Sequence, residues 1–496
     1  MSEPVDLLVV GGGINGAGIA RDAAGRGLSV LLVEKDDLAS HTSSASTKLV
    51  HGGLRYLENF EFRLVAESLR EREVLLRAAP HIIWPLRFVM PHEPEMRPKW
   101  MLRLGLAFYD RLGGPRSLPG SHGVDLRQPP HRGVLQERLV KGFEYSDCWV
   151  EDSRLVVLTA MDAKERGATI LTRTECTDLD RSGEHWRATL RDASGERVIT
   201  ARAVINAAGP FVDQVAKTAL GSGTPAHLRL VKGSHIIVPR AFAGEHAYIF
   251  QQPDKRIVFA IPYERDFTLI GTTDMLFEGD LDAVTISAEE RDYLRAAASR
   301  YFRSGIAEDE IVHSFAGVRP LYEDHSAKNS TVTRDYVFEV DADDGAPILS
   351  VYGGKITTYR QLAQHALAKL GKHLPIPGTE WTAQAPLPGG DMTDGDFSRF
   401  LWEASENYRW APPEMLQRLA RAYGTRIEAI LGGASGLGDL GVFFGRDLYS
   451  AELEYLIAHE FARTAEDALW RRSKLGLHLG AETISAVEDW FAARFA

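Results

Sequence analysis

Cationic and imidazole side chains recur in short glycine-containing strings that a folded chain could gather at one site. Arg319 stands in Gly-Val-Arg-Pro, where the proline restricts the local backbone and so aims the side chain. Arg55, Arg334 and Lys355 are further cations; arginine binds phosphate as a planar fork, while lysine acts as a point charge. His235 can exchange a proton near neutral pH. Together they predict a site that anchors an anionic ligand and takes up a proton, although a solvated surface charge is the alternative for each arginine.

A glycine-rich turn near the N-terminus has the context that phosphate binding requires. The apolar run 5–10 predicts a buried strand, Gly11-x-Gly13-x-x-Gly16 follows it, and a helix of small residues begins there. Gly11 permits the turn, Gly13 lets a pyrophosphate approach, and Gly16 lets the helix pack on the strand. Glu34 follows the last glycine by 18 residues (34 − 16) and can accept hydrogen bonds from an adenosine ribose. The turn therefore predicts dinucleotide binding, with a purely structural turn as the alternative.

The segment 40–56 favours FAD over NAD. Residues 40–48 are rich in small hydroxyl side chains, which offer donors for a second set of phosphate or ribitol oxygens that an NAD site would not need. His51, Gly52 and Gly53 follow, and the two glycines could let the backbone lie against a flat ring. A serine-rich surface loop is the alternative. We favour the flavin interpretation because the segment comes directly after the nucleotide-binding strand.

Alternating apolar strands and helices predict an α/β fold with a Rossmann-like FAD-binding domain, an antiparallel β-sheet substrate cap and a helical C-terminal domain. The strand-rich stretch 228–315 indicates the cap. A Pro/Gly-rich stretch after residue 381 precedes amphipathic segments at 396–410, 412–431 and 449–475, which indicate the helical domain. The predicted division is 1–90, 145–227 and 316–380 for FAD binding, 91–144 and 228–315 for the cap, and 381–496 for the C-terminal domain.

Charge and cysteine content exclude several classes of protein. A net charge of −11 argues against nucleic acid as a partner, because binding a phosphate backbone needs a basic footprint. Cys148 and Cys176 are too few for a disulfide framework or a zinc site. No apolar run reaches the ~18 residues that a membrane span requires, and the N-terminus lacks the features of a signal peptide. We expect a cytoplasmic protein that is free or lies on a membrane surface.

Seven strings, in this order along nearly the whole chain, carry a family resemblance: 11–20, 43–56, 142–147, 232–235, 271–274, 317–320 and 353–360. The chain resembles the bacterial FAD-dependent, respiratory (aerobic) glycerol-3-phosphate dehydrogenases, within the D-amino-acid-oxidase-like (GR2) flavoproteins. The resemblance implies FAD as cofactor, glycerol 3-phosphate as donor and dihydroxyacetone phosphate as product. It also implies membrane quinone as acceptor, a homodimer, and peripheral attachment to the inner face of the cell membrane.

The resemblance implies roles for individual residues as well. Contacts to FAD would come from the glycine turn, the hydroxyl-rich segment and later strand ends: Gly11, Gly13, Ile14, Asn15, Gly16, Glu34, Thr42, Ser43, Ser44, Ser46, Lys48, Leu49, His51, Gly52, Gly53, Cys176, Ala207, Gly209, Gly354, Lys355, Thr357 and Thr358. Contacts to substrate would come from Arg55, Tyr56, Lys232, His235, Arg319, Arg334 and Lys355.

Oxidation of a secondary alcohol by FAD needs a base for the hydroxyl proton and an anchor for the distal phosphate. His235 is the preferred base and Arg319 the main anchor, and both are expected to be catalytic residues. The alternative for His235 is that it only binds substrate or packs in the core. His51 suits a flavin contact better than the role of base.

The segment 97–112 has an apolar helical face formed by Trp100, Met101, Leu104, Phe108 and Leu112. Lys99, Arg103 and Arg111 flank this face, as in a helix that lies on an anionic membrane. A core helix of the cap has the same pattern. Both interpretations stay open at this point.

Three other functions share these motifs: a soluble glycerol-3-phosphate oxidase that uses O₂, a non-catalytic FAD-binding protein, and an amine or hydroxy-acid oxidase. The cationic cluster and His235 favour a catalyst over a scaffold. Anaerobic turnover with a quinone analogue, compared with peroxide production in air, would identify the oxidase that uses O₂. A donor screen without oxygen would identify an amine or hydroxy-acid oxidase.

Overall fold

The structure, a computed structural model, describes residues 3–93, 95–221, 227–323 and 335–495. Its strands are β1 (Val5–Val10), β2 (Val30–Val33), β3 (Leu49–Val50), β4 (Ile83–Pro91), β5 (His122–Asp125), β6 (Lys141–Val150), β7 (Thr169–Leu171), β8 (Glu175–Ser182), β9 (His185–Asp192), β10 (Gly195–Asn206), β11 (Leu228–Pro239), β12 (Ala247–Gln251), β13 (Ile257–Tyr263), β14 (Phe267–Gly271), β15 (Met275–Leu276), β16 (His313–Tyr322), β17 (Val337–Asp341), β18 (Ile348–Tyr352), β19 (Phe443–Gly445) and β20 (Leu448–Tyr449). Its α-helices are α1 (Ile14–Gly25), α2 (Phe62–Ala78), α3 (Lys99–Leu112), α4 (Asp152–Glu165), α5 (Val212–Leu220), α6 (Ala288–Ser299), α7 (Tyr359–Leu370), α8 (Phe397–Asn407), α9 (Pro413–Tyr423), α10 (Glu428–Leu431), α11 (Ser450–His459) and α12 (Ala481–Phe495).

The first sheet is built on the predicted strand–helix–strand unit at the N-terminus. β1 lies between β10 and β2, and both pairs are parallel; β7 and β18 extend the parallel part on the two sides. β1 and β2 are almost wholly apolar because helices or the β8–β9 hairpin cover both faces of the sheet. This arrangement confirms the predicted α/β class.

The helix α1 packs unusually close to its neighbours. A Cβ on Gly16 would lie 1.9 Å from the carbonyl oxygen of Gly11, and one on Gly18 would lie 2.7 Å from the ring of Tyr359 on α7. Gly11 itself has φ +112°, a conformation that favours glycine. The glycines therefore let the helix sit against the turn and against α7 with its N-terminus at the end of β1.

The second sheet is mostly antiparallel and carries the predicted cap strands β11, β13 and β14. It also contains β3, β4, β6 and β16, although the predicted division assigns most of β4, β6 and β16 to the FAD-binding segments. Apolar runs of this length do not reveal which sheet a strand joins, because pairing is decided by partners far along the chain. The domain boundaries therefore stay a prediction.

The helical C-terminal region has its own core, formed by α8, α9, α11 and α12. Two buried ion pairs join it to the rest of the chain: Arg154 of α4 with Glu460, and Arg472 with Asp37. Arg154 Nη2 lies 2.9 Å from Glu460 Oε1. Removing one partner of either pair would leave a buried charge uncompensated, which is strongly destabilising.

α3 exposes most of the apolar face that the sequence predicts. Trp100 is 69% exposed, Leu104 50% and Phe108 51%, whereas Leu106 and Tyr109 on the inner side are buried. The interpretation of this face as a core face is therefore incorrect. Among the described residues, no helix combines the length and the apolar character that crossing a membrane requires.

Candidate active site

A cavity of about 850 Å³ opens at the carboxyl ends of β1, β10 and β18. Gly13, Ala207 and Gly353, which follow these strands, line one end of it. His235 and Arg319, on β11 and β16 of the second sheet, line the other. The carboxyl edge of a parallel sheet is the usual place for a ligand in such folds, and here the second sheet closes over it.

Two cations line the cavity. The Arg319 guanidinium donates hydrogen bonds to Thr272 Oγ1 at 3.3 Å and Thr273 O at 3.2 Å, and it lies 3.5 Å from Asp274 Oδ1. The Lys355 ammonium stands over the ring of Tyr56, 3.9 Å from its centroid. This ammonium is buried and has no hydrogen-bond partner among the described residues. A buried cation without a partner is costly, so the geometry is suited to an anionic ligand.

Two imidazoles line the same cavity. His235 is 2% exposed, stacks on Phe315 and contacts Thr47 through its Nε2, 3.0 Å from Oγ1. Burial, with Lys48 and Arg319 nearby, lowers the pKa of His235 well below its usual value. Burial also lowers the pKa of His51. Both rings are therefore neutral near pH 7, as an imidazole that accepts a proton must be.

The hydroxyl-rich segment closes over the N-terminus of α1. Ser43 Oγ accepts a hydrogen bond from Ile14 N at 3.1 Å, and Thr42 donates to Val318 O at 2.6 Å. Behind them the Lys48 ammonium lies 2.7 Å from Asp152 Oδ1, with both side chains buried. The segment is thus tied to α1, β16 and α4, and its inner residues face the cavity.

Comparison with known proteins agrees with this geometry. A model of the FAD dependent oxidoreductase family matches residues 6–360, and a model of the C-terminal domain of alpha-glycerophosphate oxidase matches residues 380–494. A glycerol-3-phosphate dehydrogenase of Pseudomonas aeruginosa is 52% identical and covers 97% of this chain and 93% of its own. A D-erythritol 1-phosphate dehydrogenase of Brucella abortus is 51% identical and covers 99% of both chains. The structure of glycerol-3-phosphate dehydrogenase from Bacillus halodurans complexed with FAD is similar at a TM-score of 0.80 and 29% identity, and covers 100% of this chain and 91% of that one.

The chain belongs to the FAD-dependent glycerol-3-phosphate dehydrogenase family. The predicted resemblance and the cofactor, FAD, are thereby confirmed. The roles of single residues in this family member stay predictions, for which the structure now supplies positions.

The end of the cavity that is lined by Gly13, Ala207 and Gly353 fits FAD. A Cβ on Gly13 would meet only Ser43 Oγ, at 3.2 Å, so the space above this glycine is open to a pyrophosphate. Asn15 donates to Gly353 O at 3.1 Å, and its buried Oδ1 has no partner within the described part of the chain. Glu34 accepts hydrogen bonds from Gly12 N at 2.6 Å and Asp36 N at 2.9 Å, while burial raises its pKa. Its carboxylate is thus fixed at the end of β2, where a ribose is expected.

The predicted FAD residues fall into two groups. Those that line the cavity are Gly13, Ile14, Asn15, Thr42, Ser43, Ser46, Leu49, His51, Gly53, Ala207, Gly209, Gly354, Lys355 and Thr357. Those that lie outside its lining are Gly11, Gly16, Glu34, Ser44, Lys48, Gly52, Thr358 and Cys176. Cys176 lies on β8, where its thiol is 3.7 Å from Asp178 O.

Lys232 requires a correction. Its ammonium lies 2.8 Å from Glu290 Oε2 and donates to Thr285 O at 3.0 Å, so it points to α6 and not into the cavity. Successive side chains of a strand point to opposite faces, and β11 brings Gly233 and His235 to the cavity instead. Of the other predicted substrate residues, Tyr56 lines the cavity, Arg334 lies outside the described residues, and so does the side chain of Arg55.

Sequence reasoning missed the residues that hold the predicted ones in place. Thr47 contacts His235, and Thr272 with Asp274 contacts Arg319. The string 271–274 could have indicated such a contact, because two threonines and an aspartate follow a strand end. Which residue they contact depends on the second sheet, where β14 and β16 lie on either side of β11.

Proposed function

We propose that the chain oxidises sn-glycerol 3-phosphate to dihydroxyacetone phosphate. The observation that carries this proposal is the buried Lys355 ammonium, which has no hydrogen-bond partner among the described residues and lies in the same cavity as Arg319 and two neutral imidazoles. A phosphate dianion would satisfy both cations by charge-assisted hydrogen bonds. The family relatives named glycerol-3-phosphate dehydrogenase support the same donor.

Each group has a defined task in this proposal. FAD, when bound, supplies the hydride acceptor. Arg319 and Lys355 hold the phosphate and so orient the C2 hydrogen, while an imidazole takes the C2 hydroxyl proton. We propose His235 as this base, and the structure adds His51 as a second candidate because it also lines the cavity and is also neutral.

The test starts from the purified yellow protein without oxygen. Glycerol 3-phosphate should bleach the flavin band and yield one dihydroxyacetone phosphate per flavin, whereas glycerol should be a poor donor. An unbleached flavin in the parent protein would refute the function. His235→Asn and His51→Asn, compared over pH, identify the base: in the correct variant the rate of bleaching falls strongly and no longer declines further with acid.

A four-carbon polyol phosphate is a second candidate donor. The relative named D-erythritol 1-phosphate dehydrogenase is 51% identical, nearly the same as the 52% of a relative named for glycerol 3-phosphate. Both donors carry a terminal phosphate and a secondary alcohol, so the anchors described above suit either. Anaerobic bleaching rates measured side by side with D-erythritol 1-phosphate and glycerol 3-phosphate decide between them.

We further propose membrane quinone as the electron acceptor and an anionic membrane surface as the place where it is met. The cavity is lined toward α3 by apolar side chains, among them Met101, Leu104 and Phe108, and this is the exposed face of the helix. Lys99, Arg103 and Arg111 are exposed beside it. An apolar face with flanking cations is the pattern of a helix that binds an anionic bilayer, and here it lies at the mouth of the flavin cavity.

The electron acceptor and attachment to the membrane are tested by separate measurements. Reoxidation of the reduced protein by a soluble quinone without oxygen should far exceed peroxide formation in air; the reverse result would identify an oxidase. Sedimentation with anionic vesicles, which mimic the inner face of the cell membrane, tests attachment. The homodimer stays a prediction, to be tested by analytical ultracentrifugation.

A further inference from the structure

The turn His51–Gly53 is held from behind by a buried hydrogen-bond network. His51 and Gly53 line the cavity, while Gly52 between them points away from it. The Gly52 amide donates to Tyr109 Oη at 2.8 Å. Tyr109 Oη lies 2.7 Å from Asp147 Oδ2, to which it donates, and Arg72 donates to Asp147 Oδ1 at 2.9 Å. The network therefore fixes the backbone beside both His51 and the flavin space.

The network is almost closed to solvent. Tyr109 is 3% exposed, Asp147 1% and Arg72 4%. A Cβ on Gly52 would lie 2.7 Å from Tyr109 Oη, so the amide reaches this hydroxyl only because the residue is glycine. An amide buried at such a place costs free energy if it loses its acceptor. The alternative acceptor, Asp147 Oδ1, is 3.4 Å from the same nitrogen and is a much weaker partner.

Tyr109 belongs to α3, the helix whose outer face is exposed beside the cavity mouth. The helix thus places the Tyr109 hydroxyl against the Gly52 amide, on one side of the turn. On the other side, His51 N donates to Thr357 Oγ1 at 3.3 Å, next to the loop that carries Lys355. We infer that Tyr109, with Asp147 as its acceptor, is a positioning residue that holds the His51–Gly53 turn in the geometry needed for flavin reduction. This inference rests on the proposed function, because that function places the turn beside the flavin.

Tyr109→Phe removes the hydroxyl and leaves the ring. The matched control is Tyr248→Phe, which also removes a fully buried hydroxyl, one that contacts His131 Nδ1 at 3.0 Å in another core of the second sheet. Thermal unfolding of both variants measures what the loss of each buried hydroxyl costs in stability. Hydrogen exchange of the peptide 49–56 in the FAD-loaded protein reports the Gly52 amide directly, without any turnover.

We expect Tyr109→Phe to exchange the Gly52 amide about tenfold faster or more and to reduce its flavin about tenfold more slowly, since the orphaned amide no longer holds the turn. The absorption band of its bound flavin should shift, whereas Tyr248→Phe should match the parent in exchange of 49–56, flavin band and reduction rate. Equal behaviour of the two variants in all three measurements would overturn the inference. If the parent itself is not reduced by either polyol phosphate, the proposed function fails, while faster exchange in Tyr109→Phe would still establish that the hydroxyl holds the turn.

Discussion

Replacing Lys355 by methionine should weaken turnover. The ammonium is buried, has no hydrogen-bond partner among the described residues, and lies 3.9 Å from the Tyr56 ring. Loss of a desolvated contact to phosphate costs about 2–4 kcal/mol, or roughly 30-fold to 1000-fold in kcat/KM.

Lys232→Met is the matched control, because the same substitution there removes a lysine that lies outside the cavity and pairs with Glu290. Its thermal midpoint should fall, since a nearly buried carboxylate loses its cation, and its kcat/KM should change little. Both quantities come from anaerobic flavin bleaching with glycerol 3-phosphate and from thermal unfolding at equal FAD content. Parental kcat/KM in Lys355→Met, or an equal loss in both variants, would refute the phosphate anchor.

Three further outcomes are expected. Gly13→Val should purify largely without FAD, because the open space above this glycine would be filled; a fully yellow variant would contradict this, and absorbance decides. Replacing Leu104 and Phe108, which are 50% and 51% exposed, by glutamate should abolish sedimentation with anionic vesicles while soluble expression and bleaching by donor persist; unchanged binding would rule out the helix as the attachment site. Burial lowers the pKa of His81 to about 3, below the unfolded value of about 6.5, so this group destabilises the fold as pH falls from 6.5 toward 3. Over that pH range, the free energy of unfolding of His81→Leu, measured with denaturant, should fall less than that of the parent protein. Equal falls in the two proteins would argue against a buried neutral imidazole.

The parts of the fold that follow local rules could be predicted from the sequence. β1 has the predicted bounds, 5–10, because an apolar run is a property of neighbouring residues. The turn after β1 could be assigned for the same reason, since each of its glycines has a local geometric task. The end of the cavity that would hold the pyrophosphate could therefore be predicted almost from the sequence alone.

The parts that depend on distant partners could not be predicted. The contact of Thr47 with His235 joins residues 188 positions apart, and the bond from Gly52 to Tyr109 spans 57. No local pattern encodes such pairs, because they arise only when the second sheet closes over the first. The exposure of the apolar face of α3 could not be predicted either. The spacing of its apolar residues is the same in a core helix and in a surface helix, and only the packing of the folded chain distinguishes them.

Strand register explains why adjacent residues of one string have different roles. β11 and β16 pair antiparallel, with His235 opposite Phe315, Gly233 opposite Gly317 and Val231 opposite Arg319. Directly opposite residues share a face, and every second residue along a strand returns to it, so this register puts His235 and Arg319 on the same side. A slip by one residue would bring Lys232 to the cavity and carry His235 toward α6. The proposed base and the proposed phosphate anchor therefore line the same cavity because of one pairing between strands, which neither string determines alone.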